Sequence, residues 1–229
     1  MTVGRHPEMR VQRLVIGRER APLLVIDNLV SDADELVELA ASKMFSAAPT
    51  YYPGLRAKAP LSYQRFILED LRPEIDAVFG LRGRMLRFTE CNFSLVTTPG
   101  EKLSYLQRIP HVDSLVNEEL AMIHYLFRAK HGGTAFYRHR STSFEYVDKA
   151  RQIEYLNQVD REKAGPDSAP AAYIDGDTPL YERIEAQDGV FNRLLMYRRT
   201  TLHSGSIAPG FKFDANPRTG RLSINAFLA

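Results

Sequence analysis

The spacing of apolar residues changes near residue 84, and this change restricts the fold more than any other feature of the chain. Before that point, two short strand-like runs, RLVIG and PLLVID, are followed by stretches with helical spacing. After it, strand-like segments dominate, rich in aromatic and β-branched residues: RMLRFTECNFSLVT, LAMIHYLFR, GVFNRLLMYRRTTLHSG and GRLSINAFLA. We therefore predict an α+β, mainly β fold, with a double-stranded β-helix (jelly-roll, cupin-like) core and N-terminal helices packed on one sheet.

The N-terminal part, residues 1–83, is predicted to contain two helical regions. Ser31 stands three positions before Asp34, which resembles a capping box with Asp in place of Glu or Gln and predicts a helix start. The stretch YQRFILEDLRPEIDAVFG predicts a second helical region, broken near Pro73 and ended at Gly80. Between the two regions, SAAPTYYPGLRAKAPLS is predicted to be a loop.

Residues 141–188 interrupt the strands of the C-terminal part. FEYVDKARQIEYLNQVDREKAG has helical spacing, and PDSAPAAYIDGDTP has the composition of a loop. We interpret this segment as a helical insertion and a candidate lid. The whole chain, 1–229, is then a single domain whose core spans 84–229.

Composition excludes several classes of protein. The net charge is +2 with no long basic run, so we expect neither a nucleic-acid partner nor a basic membrane-binding helix. The single cysteine, Cys91, excludes an internal disulfide and a CxxC zinc site, and we expect it to be a buried strand residue. No leader-like or membrane-length apolar stretch is seen, so we expect a cytoplasmic protein. A homo-oligomer remains open.

A candidate metal site begins in the segment RIPHVDS. His111 and Asp113 are two residues apart, and on a strand end such residues point to the same face. Imidazole and carboxylate together suit Fe(II), Mn(II) or Zn(II). His203 follows about ninety residues later at a strand end, and two histidines with one carboxylate can form a facial triad.

The remaining histidines fit structural or surface positions better than a metal site. His124 lies among apolar strand residues and is predicted to be structural, whereas His131 and His139 flank a turn and a strand and are predicted to be exposed.

The last strand alternates polar and apolar residues. Arg221, Ser223 and Asn225 are separated by apolar positions, so one face of the strand is polar. That face could be solvated, or it could point into a barrel. In the second case Arg221 needs an anionic partner, and an Arg–Ser pair on one face can hold a ligand carboxylate.

The order of these motifs, H-x-D, a late histidine and then R-x-S, resembles that of the 2-oxoglutarate and Fe(II)-dependent dioxygenases. PLLVIDNLVSDADEL resembles the opening strand and helix of their prolyl-hydroxylase-like branch, and MIHYLFRAKHGGTAFY resembles its Gly-Gly turn between strands. GVFNRLLMYRRTTLHSG resembles its strand before the distal histidine. The resemblance covers roughly residues 21–229 and is greatest to a bacterial subgroup with no assigned substrate.

This resemblance implies specific roles for residues of the chain. The Fe(II) ligands would be His111, Asp113 and His203, and the residues contacting 2-oxoglutarate would be Arg221, Ser223 and Tyr105. Because the gap after His203 is longer than usual for the family, Lys212 and Arg218 compete with Arg221 as anchors of the cosubstrate.

The resemblance also implies a reaction. With dioxygen, 2-oxoglutarate would be oxidatively decarboxylated while a C–H bond of an unidentified peptide, amino acid or small metabolite is hydroxylated. The carboxylate of Asp113 occupies the position that a halogenating relative leaves vacant for chloride. The substrate entrance could include the insertion, the loop PTYYPGLRAKAPLS, and Arg138 or Arg140.

Two other classes remain open. One is a non-catalytic cupin-like protein that binds a structural metal or a sugar, and the other is a Zn(II) hydrolase that uses the same three ligands. Neither has a use for Arg221 and Ser223 behind the metal.

Overall fold

The computed structural model describes residues 3–47 and 51–229, which form two antiparallel sheets, each with helices packed against it. The strands are β1 (Arg10–Ile16), β2 (Ala21–Asp27), β3 (Ser46–Ala47), β4 (Gly54–Lys58), β5 (Phe88–Val96), β6 (Leu120–Tyr125), β7 (Gly133–His139), β8 (Tyr181–Asp188), β9 (Leu194–Arg198), β10 (His203–Ser206) and β11 (Leu222–Leu228). The helices are α1 (Ala33–Ala41), α2 (Leu61–Asp70), α3 (Arg72–Phe79), α4 (Tyr105–Arg108) and α5 (Gln152–Lys163). The mainly β prediction is confirmed.

The larger sheet has the strand order β1-β2-β9-β6-β11-β5-β4-β3, and the smaller one has the order β10-β7-β8. Strand β11, the polar–apolar alternating strand, lies in the interior of the larger sheet between β6 and β5. Because β11 is an interior strand, its side chains contribute to both faces of the larger sheet.

Helices α1, α2 and α3 share one hydrophobic cluster with the apolar side chains of the larger sheet. Leu36 of α1, Phe66 of α2 and Ile75 of α3 are buried in this cluster, together with Leu222 and Ile224 of β11. Burial of these apolar surfaces is the main force that holds the helices on the sheet. None of the helices in the described part of the chain is long and apolar enough to cross a bilayer.

The helix boundaries agree in part with the sequence. Pro73 lies in the first turn of α3, where its missing N–H costs no hydrogen bond, and Gly80 ends that helix with φ +67°. The predicted capping box at Ser31 is wrong. The N-cap of α1 is Asp32, and the Ser31 hydroxyl donates instead to the Asp32 carboxylate, 2.8 Å away.

The segment SAAPTYYPGLRAKAPLS is more than a loop, because it contains strands β3 and β4 at the edge of the larger sheet. Residues 48–50 of this segment, including Pro49 and Thr50, lie outside the described residues. Gly54 allows the close approach to β5, since a Cβ there would collide with the Leu95 carbonyl oxygen. The sequence of β4 has no strand-like alternation. It forms a strand because it pairs with β5, a contact that sequence alone does not show.

The second face of the larger sheet meets the smaller sheet. Tyr125 of β6 shares a hydrogen bond of 2.7 Å with Thr134 of β7, and the rings of Phe136 and Tyr197 pack edge to face. Strand β8 lies within the residues predicted as an insertion, so the segment between β7 and β8 is shorter than 141–188 and contains one helix, α5. A cavity remains between the two sheets.

Candidate metal centre

His111, Asp113 and His203 converge at one end of this cavity. One ligand atom from each lies within 4.8 Å of the other two, which is the spacing of groups that can share a metal ion. His111 Nε2 lies 3.7 Å from Asp113 Oδ1, and His203 Nε2 lies 3.4 Å from Asp113 Oδ2. The structure therefore brings the three predicted ligands together.

The backbone brings the two histidines side by side. His111 N–H donates to the His203 carbonyl at 2.9 Å, and His203 N–H donates back to the His111 carbonyl at 3.0 Å. The two residues form an isolated antiparallel bridge, and their rings are 4.4 Å apart. His111 follows the short helix α4 rather than a regular strand, so the bridge to β10, not a strand end, places its side chain.

The tautomer of His203 is set by its surroundings. Its Nδ1 lies 3.0 Å from the Thr201 carbonyl oxygen, which can only accept, so Nδ1 carries the hydrogen. The lone pair of Nε2 is then free on the side of Asp113. The Tyr197 ring packs 4.7 Å from the His203 ring and fixes its orientation.

The side chain of His111 is about half exposed, and the groups around it favour the neutral form that binds metal. Desolvation within the cavity, and next the neighbouring His203 ring, lower the pKa of His111 to about 4, although the Asp113 carboxylate opposes this shift. A neutral imidazole keeps the lone pair that coordination requires.

Arg199 fixes the position of Asp113. Its Nη2 donates to the Asp113 carbonyl at 2.8 Å, and the Asp113 N–H donates to the Arg199 carbonyl at 2.8 Å. Glu119 holds Nη1 of Arg199 at 2.6 Å. Sequence reasoning missed this residue, although it stands four positions before His203 in the segment that leads into the metal site.

The cavity has a volume of about 570 Å³ and is lined by both sheets, α4 and α5. Arg221 and Asn225 of the polar face line it, so the solvated alternative for this strand is wrong, whereas Ser223 between them does not belong to the lining. Arg221 is only 3% exposed and Ser223 is fully buried. The Ser223 hydroxyl lies 2.6 Å from Asn225 Oδ1, which accepts its hydrogen bond.

Arg221 is a buried cation with no acidic partner in the described part of the chain. Its Nε and Nη2 donate to the carbonyl oxygens of His131 and Gly133, at 2.9 and 2.7 Å. The rings of Tyr125 and Phe127 lie 5.9 and 5.5 Å from its guanidinium carbon. Among the residues that the structure describes, no carboxylate forms a salt bridge with Arg221, so its charge faces the cavity uncompensated.

The competing anchors lie elsewhere. Arg218 forms a two-pronged ion pair with Glu38 on the surface, with N–O distances of 2.9 and 2.5 Å. Lys212 is exposed and does not line the cavity. Arg221 is therefore the one of the three anchors whose side chain reaches the cavity.

Tyr105 is also placed away from the cavity lining. It begins α4 and packs beside Lys163 of α5, whose amino group lies 5.7 Å from its ring centre. Tyr52 and Tyr173 line the cavity instead, and both lie near enough to Arg221 for its charge to act on their hydroxyl groups. They belong to the loop PTYYPGLRAKAPLS and to the insertion, the two segments proposed from the sequence as the substrate entrance, although no motif singled out the tyrosines themselves.

Three other sequence predictions are corrected. His139 is fully buried, with Nδ1 2.9 Å from the Thr142 hydroxyl and Nε2 2.8 Å from Glu162. Arg138 is buried in ion pairs with two glutamates, and Arg140 lies on the surface, so neither arginine lines the cavity.

Two structural assignments are confirmed. His124 is buried between Tyr63 and Asn192, with ring nitrogens 3.2 and 3.0 Å from their oxygens. Cys91 is a buried residue of β5, and burial raises the pKa of its thiol to about 12.

Comparison with known proteins gives a family and a fold. The model of the family described as "Family of unknown function (DUF6445)" matches residues 7–228. No curated protein matches the sequence.

Similar solved structures include the non-haem alpha-ketoglutarate-dependent epimerase SnoN from nogalamycin biosynthesis. It has a TM-score of 0.53 and 12% identity, over 92% of this chain and 78% of that chain. HygX from Streptomyces hygroscopicus, with nickel and 2-oxoglutarate bound, has a TM-score of 0.50 and 12% identity, over 92% of this chain and 84% of that chain. At these identities the likeness shows the fold alone.

Proposed function

We propose that this chain, which belongs to the DUF6445 family of unknown function, is a non-haem Fe(II)- and 2-oxoglutarate-dependent dioxygenase. Within that class we assign it to the prolyl-hydroxylase-like branch, with a double-stranded β-helix core formed by the two sheets. The order of its motifs and its likeness to the folds of SnoN and HygX support the proposal. We further propose a cytoplasmic location.

The donor set suits the metal. Two imidazoles and one carboxylate on adjacent backbone segments can occupy one face of an octahedral Fe(II) ion and leave three positions open. In this proposal His111 and His203 supply Nε2, and Asp113 supplies a carboxylate oxygen. Arg199 acts as a positioning residue, because it holds both backbone groups of Asp113.

The observation that carries the proposal is the uncompensated guanidinium of Arg221 in the cavity that also contains the three ligands. A buried charge without a partner is costly, and an anionic ligand removes that cost. We propose that Arg221 binds the far carboxylate of 2-oxoglutarate. We also propose that, when the ligand binds, the Ser223 hydroxyl turns from Asn225 Oδ1 and donates its hydrogen bond to this carboxylate. A zinc hydrolase or a metal-binding module gives this arginine no role.

When bound, Fe(II) and 2-oxoglutarate would supply the activation of dioxygen for attack on a C–H bond. The chain supplies orientation. Apolar residues of α4 and α5 line the cavity, with Val159 buried and Leu106 and Leu156 exposed. We propose hydroxylation as the outcome because Asp113 fills the ligand position that halogenation requires to be vacant. We also propose α5 as the cover of the substrate.

An anaerobic titration with Fe(II) and 2-oxoglutarate tests this function. The wild-type protein should develop a weak visible charge-transfer band, and Asp113→Ala and His203→Ala should not. His6→Ala removes a histidine outside the site and should keep the band. In air, the wild-type protein should convert 2-oxoglutarate to succinate. A wild-type protein that shows neither the band nor succinate would refute the proposal.

A further inference from the structure

Arg56 is a second arginine of the cavity that the proposed cosubstrate does not use. It lies on β4, opposite Ser94 of β5, which in turn lies opposite Ser223 of β11. Side chains directly opposite one another in a sheet point to the same face. Arg56 therefore lies on the cavity face of the larger sheet, two strands away from Arg221, and it lines the cavity with a side chain that is 14% exposed.

The guanidinium of Arg56 is held in place on one edge and on one face. Its Nη1 donates to Glu90 Oε2 at 3.0 Å, and its carbon lies 4.5 Å from the centre of the Tyr52 ring. Asn92 donates to the same Glu90 oxygen at 3.4 Å. These contacts fix the plane of the group before any ligand arrives, which lowers the entropy lost on binding.

The other edge of the guanidinium has no partner within residues 3–47 and 51–229. Nε is buried without a hydrogen bond, and Nη2 makes none with the described residues. Nε and Nη2 form the edge that holds carboxylates in a two-pronged manner elsewhere in this chain, in the pair of Arg218 with Glu38. An unpaired edge of this kind, on an arginine that lines a cavity, is suited to hold a carboxylate, and we call it the fork.

Tyr52 adds a further donor beside this fork. Its hydroxyl is buried with Ser94 as its polar neighbour, and it makes no hydrogen bond of ordinary geometry with the described residues. Burial raises the pKa of Tyr52 to about 12, so the phenol keeps its proton and can donate it in a hydrogen bond. A buried hydroxyl without an ordinary hydrogen bond, beside an unpaired guanidinium edge, can donate to one acceptor group of a ligand.

The charge of Glu90 restricts the ligand further. Because Glu90 already neutralises Arg56, an anion alone would leave the cluster negative. Oε1 of Glu90 makes no hydrogen bond with the described residues, and the side chain is 36% exposed. A ligand that brings a carboxylate to Arg56 and an ammonium group to Glu90 keeps the cluster neutral.

We propose that Arg56, Tyr52 and Glu90 form the site for the primary substrate, and that this substrate is a zwitterionic amino acid. The carboxylate of the amino acid binds Arg56 and Tyr52, and its ammonium group binds Glu90. This inference rests on the proposed function, in which Arg221 holds the cosubstrate, and it names the substrate class of the same cavity.

Binding experiments with the full-length protein loaded with Ni(II) and 2-oxoglutarate test this site. The twenty proteinogenic L-amino acids are first screened by thermal shift. The tightest binder is then compared by calorimetry with its amide, which lacks the carboxylate, and with its des-amino acid, which lacks the ammonium group. The amide and the des-amino acid should each bind at least about tenfold more weakly, since each loses a charge-assisted hydrogen bond.

Variants assign each preference to a residue. Arg56→Gln should abolish the preference for the amino acid over its amide, and Glu90→Gln should abolish the preference for the amino acid over its des-amino acid. Tyr52→Phe keeps the aromatic ring and should weaken binding of the amino acid about two- to tenfold. Arg13→Gln breaks an exposed Arg–Glu pair remote from the cavity and should change neither preference.

Several results would overturn the site. The first is that no amino acid binds at millimolar concentration. The second is that a folded Arg56→Gln protein still prefers the amino acid over its amide. The third is that Arg56→Gln loses as much affinity for 2-oxoglutarate as Arg221→Gln does. The amino-acid titrations are repeated without Ni(II) and 2-oxoglutarate. Because the contacts of Arg56, Tyr52 and Glu90 need neither the metal nor the cosubstrate, this repeat separates failure of the substrate site from failure of the proposed function.

Discussion

Replacing Arg221 with glutamine should weaken the binding of 2-oxoglutarate by about ten- to 150-fold. The guanidinium is 3% exposed and has no acidic partner among the described residues, so a ligand carboxylate would meet its full charge away from bulk water. Hydrogen bonds to charged groups in such places contribute about 1.5–3 kcal/mol, and about 1.4 kcal/mol corresponds to tenfold in affinity. The glutamine side chain keeps polar atoms there but removes the charge.

The measurement is calorimetric titration of 2-oxoglutarate into the Ni(II)-loaded protein. Arg218→Gln is the matched control, because it removes the same charge from an arginine that binds only Glu38 on the surface. Since Arg221 also holds two backbone carbonyls, thermal unfolding of the variant should confirm that it is folded at the temperature of the titration.

A second variant separates charge from geometry. Arg221→Lys keeps the positive charge but loses the planar guanidinium, so its affinity should lie between those of the wild-type protein and Arg221→Gln. If Arg218→Gln weakened binding as much as Arg221→Gln, or if a folded Arg221→Gln protein bound 2-oxoglutarate normally, the assignment of the anchor would be refuted.

Two further outcomes follow from groups around the site. Arg199→Gln should lower the affinity for Ni(II) about ten- to 100-fold in a chelator competition, because Asp113 loses the group that positions it, and an unchanged affinity would contradict that role. Burial lowers the pKa of His124 from 6.5 to about 4, so between those values the unfolded chain binds a proton that the native protein does not. The stability that neutral His124 confers above pH 6.5 is therefore lost as the pH falls. Between about pH 7 and about pH 5, the free energy of unfolding measured in urea should fall by about 2 kcal/mol more in the wild-type protein than in His124→Gln. Equal losses in the two proteins would show that His124 takes up no such proton.

The metal site could be predicted from the sequence because its signal is chemical and local. His111 and Asp113 lie close in the chain, and His203 follows the strand-like segment that forms β9 and begins the next strand, β10. The alternation around Arg221 could be recognised too, but the sequence left its direction open. Only the pairing of β11 between β5 and β6 shows that its polar face points inward.

The residues that the sequence did not reveal depend on pairing between distant segments. Arg56 belongs to a strand that exists because it pairs with β5, and Arg199 is defined by contacts with Asp113 and Glu119, about eighty residues away in the chain. His139 was assigned to the surface because the sequence does not show that α5 brings Glu162 to its ring. In each case the decisive contact is tertiary, which composition and periodicity do not encode.

The charges of the cavity connect the two proposed sites. Of the arginines that line it, Arg56 and Arg199 each have a glutamate partner, whereas Arg221 has none among the described residues. A divalent metal ion held by Asp113, taken together with Arg221, leaves the cavity with the net charge of a dication. The dianion of 2-oxoglutarate balances that charge and leaves none for the primary substrate to neutralise. The remaining polar cluster around Arg56 is itself neutral. The charge balance that favours a dianionic cosubstrate therefore favours a zwitterion, and not a second anion, as the primary substrate.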